Sequence, residues 1–169
     1  MKLIEALKKV KDLDRKAEEL RVMVSKHCAI SSLETPQYEN QGAKVISWLQ
    51  AHSDVLKEIL RLRIAIQRTN LATEVTVMFG DEAVTKTIAE WVHRRRDLAG
   101  KEFAMWDGVG DRNIREGFVE GPGGTQIEIK VRRFYDAETR DVRQSLYSEE
   151  PSLIDGKLEI ANAVTDLIE

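Results

Sequence analysis

AKVISWLQAHSDVLKEILRLRIAIQRTN, residues 43–70, is the stretch on which the fold turns. Trp48, His52, Val55, Ile59, Leu62 and Ile66 recur at alternating spacings of four and three, which puts them on one stripe of an α-helix. A second stripe, Leu49, Leu56, Leu60 and Ile64, lies beside the first, so the segment is expected to be a long helix contacted from two sides.

Upstream, Leu3, Ala6, Val10, Leu13, Ala17, Leu20 and Val24 repeat the alternation and form a coiled-coil type seam, with two alanines that let a neighbouring helix approach closely. Between the helices, Ser31, Ser32, Pro36, Asn40 and Gly42 mark a connector over residues 29–42. It is long enough to reverse the chain, so the two helices are expected to pack as an antiparallel hairpin rather than as an intermolecular coil.

Downstream, residues 74–79 are rich in β-branched side chains and stop at Gly80-Asp81, which predicts a short strand followed by a helix over 82–106 capped by Asp81. Six glycines and Pro122 between Asp107 and Thr125 exclude regular helix there. Residues 126–134 then alternate apolar and charged side chains, a strand with one wet face. Phe118-Val119 is its expected hairpin partner, with the strand at 74–79 a candidate third member. A short charged helix is expected over 136–147, and Ser152 with Asp155 resembles a cap for a last helix ending near Glu169.

The fold class that follows is mainly α. A long antiparallel helical hairpin is joined by two or three further helices in a bundle, with a small β-hairpin or sheet near 74–79 and 117–134. At 169 residues the chain has the size of one domain, in which 107–134 is a glycine-rich loop and β-hairpin insertion.

The formal net charge of −3 gives no general pull toward nucleic acid or an anionic membrane. It is unevenly spread. Residues 1–28 hold eight Lys or Arg against five Asp or Glu, and residues 136–169 hold three against nine, so the two ends are expected to attract each other within one subunit or between neighbours. The single cysteine fits a reducing compartment, the N-terminus is too charged for a signal peptide, and no stretch approaches the roughly 20 apolar residues of a membrane span. A cytoplasmic protein is expected, or one assembled in a virion if phage-encoded.

Catalytic and metal chemistry finds little support. His27, His52 and His93 lie on three predicted helices without metal-site spacing. Cys28 adjoins His27, but neighbouring helical side chains point about 100° apart, the wrong geometry for a thiol–imidazole pair. Asp107-Gly108-Val109-Gly110-Asp111 lacks the ligand ladder of a calcium loop, and Gly121-Pro122-Gly123-Gly124 lacks the lysine and the following helix of a phosphate cradle. Arg94-Arg95-Arg96 with Lys130, Arg132 and Arg133 reads as a solvated, ion-paired face whose natural counterpart is the acidic C-terminal segment. No cofactor and no metal are expected.

A sharper signal is polar residues where apolar ones are expected: Arg68, Thr69 and Asn70 closing the second helix with Thr73 after them, and Asn162 and Thr165 on the last. If buried, such groups need partners. Arg68, Asn70, Asn162 and Thr165 therefore either fix helix packing or line a small polar ligand pocket.

The opening Met1-Lys2-Leu3-Ile4-Glu5-Ala6-Leu7 with Asp12-Leu13 and Leu20-Arg21, the run Ile66 to Asn70 with Thr73, and the ending Asp155 to Asn162 with Thr165 and Leu167 resemble the septicolysin-like family of small bacterial helical proteins. The likeness runs end to end. Thr85 to Asp97 looks like that family's third helix, while the glycine-rich stretch 107–125 departs from its shorter pattern. The resemblance implies a helical fold and brings no enzymatic activity with it. Only 126–134 has the alternation a pore-forming hairpin would need, so cytolysis is not favoured.

The expectation that follows is a non-catalytic, self-associating helical protein, a component of a larger assembly such as a phage or virus-like particle. Arg132, Arg133, Phe118 and Gly123 are the candidate contacts to neighbouring copies or other structural proteins, with no specific nucleic acid and no membrane partner. The alternatives are a cytoplasmic binding protein or enzyme using the polar cluster, and a pore-forming toxin.

Overall fold

The computed structural model describes all residues, 1–169. The protein is mainly helical with small β-hairpins, and the chain gathers into two compact units that do not follow a single cut in the sequence. The first comprises Met1–Val75, Thr87–Ala89 and Leu158–Glu169; the second comprises Thr76–Lys86 and Glu90–Lys157.

In the first unit, helix α1 (Leu3–His27) and helix α2 (Gln41–Ala72) form the expected antiparallel hairpin. Every position of the α1 seam is buried or half-buried. Ala17 packs against Val55 and Ile59, with Val10, Leu13 and Leu20 around them. Asn40 caps α2, its Oδ1 accepting from the Ala43 amide at 3.0 Å. At the connector, the His27 ring lies 5.5 Å from Tyr38 and 5.6 Å from Trp48, and Gln41 donates to the His27 carbonyl at 2.9 Å, which closes the reversal. Lys9–Glu58 and Arg63–Asp14 ion pairs flank the seam.

The two ends of the chain meet inside this unit through one ion pair and two backbone bonds. Lys2 meets Asp166 at 3.0 Å, the Leu3 amide donates to the Thr165 carbonyl, and the Leu167 amide donates to the Met1 carbonyl, each at 2.9 Å.

The second unit departs from expectation in three places. Residues 82–87 are strand, not the start of a helix: β1 (Glu74–Phe79) and β2 (Glu82–Thr87) form a hairpin across Gly80, whose φ of +61° sets the turn, and the Thr76 and Thr85 hydroxyls bond across it at 2.7 Å. Asp81 is thus a turn residue, and the helix begins at α3 (Ile88–His93). It continues through a π-helical turn (Arg94–Leu98) into α4 (Ala99–Asp107).

The two hairpins also form separate sheets. In the second, β3 (Gly117–Glu120) pairs antiparallel with β4 (Gln126–Ile129), Phe118 opposite Glu128 and Val119 opposite Ile127, as the alternation predicts, although the strand stops at Ile129.

Finally, α5 (Ala137–Val164) is one helix through Pro151, where the sequence suggests two. An interior proline costs about 3 kcal/mol. The stripe of Ile154, Leu158 and Ala161, all buried, runs on beyond the proline and offsets that cost. Asp155 is not a cap; it pairs with Arg95 at 2.7 Å. Asp136 caps α5 instead, accepting from the Thr139 amide at 2.7 Å.

Candidate functional site

The four polar residues singled out in the sequence all fall in the first unit, but do not converge on one pocket. Arg68 and Asn70 are two positions apart on α2, hence about 200° apart around its axis. Arg68 is exposed and lines a shallow cavity of about 440 Å³ with Leu60, Arg61, Ile64 and Glu169. Asn70 is half-buried, and its Oδ1 is shut off from solvent with no donor. Asn162 is half-buried on the last turn of α5, and Thr165 acts through its backbone, its carbonyl accepting from Leu3 and its amide donating to Ala161.

The group that organises this end is Thr69, which the sequence sets with Arg68 and Asn70 among the unexpected polar residues but which is not one of the four candidate ligand residues. It is fully buried; its hydroxyl donates to the Ala65 carbonyl and accepts from the Ile168 amide, both at 2.8 Å. A signal for it was present, since Thr69 continues the apolar stripe of Leu62 and Ile66.

The candidate contact residues sit on or beside the β3–β4 hairpin. Phe118 is 66% exposed, and Gly123 occupies the tip with φ +80°. Every β3 residue is exposed, and on β4 only Ile129 is half-buried. The two arginines differ. Arg133 donates to both oxygens of Asp111, and the Tyr135 hydroxyl donates to Oδ1 as well, at 2.8 Å; the Arg133 guanidinium and that hydroxyl hold the Asp111 carboxyl below its usual range. Arg132 is free of any carboxylate and stacks 5.1 Å over the ring of Phe134, itself 86% exposed.

On α2 the second apolar stripe is not covered by the rest of the chain, contrary to the expectation of contact from two sides. Ile46, Leu49, Leu56, Leu60, Ile64 and Leu71 are all between 40% and 68% exposed. With Ser53 and Gln67 they make an unbroken run of spacings of three and four, centred about 120° around the axis from the buried stripe.

The second unit contains a cleft of about 530 Å³, bordered by Phe79 and Glu82 of the first hairpin, Trp91 and Arg94, Glu102 of α4, and Leu146, Tyr147 and Glu150 of α5. Its wall is an ion pair. Arg94 Nε and Nη2 donate to the two oxygens of Glu150 at 2.5 and 2.9 Å, with Glu102 at 3.5 Å and the Tyr147 ring 5.5 Å away. Glu150 is buried, and its carboxylate holds the Arg94 guanidinium protonated beyond its ordinary range despite partial burial. The basic run of the π-helical turn is thus met by the acidic α5 at both Arg94 and Arg95. No three His, Cys, Asp or Glu side chains gather as a metal site would require, and no helix is long and apolar enough to cross a membrane.

No protein-family profile and no curated protein matches the chain. A solved structure is similar to it: the crystal structure of a functionally unknown conserved protein from Corynebacterium diphtheriae, with 21% sequence identity over 99% of this chain and 98% of that one, and a TM-score of 0.59. At that identity the likeness speaks for the fold alone.

Proposed function

We propose that the protein is a non-catalytic structural subunit that associates with copies of itself through the β3–β4 hairpin. The observation that carries this reading is the exposure of that hairpin. An isolated two-stranded hairpin is marginal in water, and this one keeps Phe118, Val119 and Ile127 exposed, with Phe134 following. Aromatic side chains and a stacked arginine on an outlying element are the composition of a contact patch. At the charged termini, Lys2 and Asp166 are already paired within the first unit. The resemblance to the septicolysin-like family, which brings no activity with it, is compatible with a structural role. Sedimentation velocity of the wild type and of a Phe118→Ser, Phe134→Ser variant tests it: the wild type should form larger species that the variant loses, and a wild type that stays monomeric at high concentration in moderate salt sinks the reading.

A second reading, a small-ligand protein, is favoured by the cleft beside Arg94, whose volume lies within the range of ligand pockets and whose wall includes a π-helical turn, a feature frequent at functional sites. Ligand-observed NMR with a fragment library is the test. Binders that quench Trp91 fluorescence support it, and a screen without any such binder removes it.

A further inference from the structure

We infer that the uncovered stripe of α2 is the docking surface for α2 of a second copy, running antiparallel to it. This contact supplies the assembly reading with a two-fold interface, yet it rests on different residues from the hairpin.

A seam built from spacings of three and four is complementary to another seam of the same spacing, because each side chain fills the hole between four of the facing helix. Within this chain the other such seams, on α1 and on the inner face of α2, are already packed together. A second copy brings the same exposed seam, and a surface that matches itself gives a closed two-fold pair. From Ile46 to Leu71 the seam is about 38 Å long, ample for a helix–helix interface.

Charge selects the direction. The flank beside the seam has Asp54 near its start, then Lys57, Arg61 and Arg68. In a parallel pair, Lys57 and Arg61 of one copy would face the flank with Arg63 of the other, cation against cation. An antiparallel pair with its two-fold near Lys57–Glu58 instead sets Asp54, which Gln50 and Lys57 hold within its own chain, level with Arg61 of the second copy twice over, against one approach of Lys57 to Lys57 at the axis, and brings Leu56 and Leu60 together at the centre. Ser53 and Gln67, the polar members of the seam, lie toward the two ends and leave this centre apolar.

The test is sedimentation equilibrium of the full-length protein at micromolar concentration, with circular dichroism confirming that each variant is folded. The wild type should dimerise and the Leu56→Glu, Leu60→Glu variant should be monomeric. Asp54→Arg should weaken the dimer about five- to tenfold, and combining it with Arg61→Asp should restore affinity. A monomeric wild type, or a dimer that survives Leu56→Glu, Leu60→Glu, overturns the proposal. An Asp54→Arg variant that Arg61→Asp fails to rescue overturns the antiparallel register. The Phe118→Ser, Phe134→Ser variant separates the two contacts: it should keep the α2 dimer while losing higher species, and a dimer lost in that variant alone assigns the contact to the hairpin instead.

Discussion

The hydroxyl of Thr69 accepts the backbone amide of Ile168 at 2.8 Å while donating to the carbonyl of Ala65, one buried oxygen joining the end of α2 to the C-terminal segment. Replacing it with valine keeps the volume and strands the Ile168 amide. Thr69→Val is expected to cost about 1–3 kcal/mol, read as a lower midpoint in urea unfolding. A midpoint equal to that of the wild type would show that the amide finds water instead.

Asn70, one residue on, has an acceptor shut off from solvent with no donor. Asn70→Leu removes that group at similar volume. Stability should stay level or rise by about 1 kcal/mol, measured in the same titration. A clear loss would mean that Asn70 has a polar partner, as a ligand pocket at this end would require.

Arg94 and Glu150 form a bidentate pair in which Glu150 is buried and the Arg94 side chain is 21% exposed. Breaking it from one side leaves an uncompensated charge. Glu150→Leu alone should destabilise by about 3 kcal/mol, at the low end for buried pairs because Arg94 retains some solvent, and adding Arg94→Met should recover most of the loss. Thermal unfolding of the three proteins decides between this and a purely local effect.

Glu58 bonds first to Arg61 and then to Lys9, and these hold its carboxyl well below the usual 4.5, at about 2. A depressed carboxyl stabilises the folded state fully above its unfolded value, and the contribution disappears as pH falls from 4.5 toward 2. The midpoint difference between wild type and Glu58→Gln should therefore shrink across that window and vanish near its lower limit. The effect is modest, since the side chain is 31% exposed.

The α1–α2 hairpin was legible because a 3.6-residue period, once filled with apolar side chains on one stripe, has little choice but to bury it. The β3–β4 pairing was legible for the same reason at a period of two. Residues 82–87 were not: Glu-Ala-Val-Thr-Lys-Thr has no decisive period, and Gly80-Asp81, a two-residue hairpin turn in the structure, reads equally as a strand end followed by a helix cap. The continuity of α5 was hidden by Pro151, whose local cost is visible in the sequence while the burial of Ile154 beyond it is not. Among the predicted polar residues, the sequence located the right end of α2 but not the right atom, because a helix separates Arg68 from Asn70 and leaves the buried hydroxyl to Thr69.

By itself, the sequence determined that two amphipathic helices must pair, that glycine interrupts the helical course after Asp107, and that the two ends attract. Only the tertiary structure decided which of the two stripes on α2 is covered, since both are equally apolar and periodicity does not say how many neighbours a helix will find. It also decided where the charges close, on Lys2–Asp166 and Arg94–Glu150, because an ion pair depends on positions in space that distant segments reach only after the apolar stripes have packed.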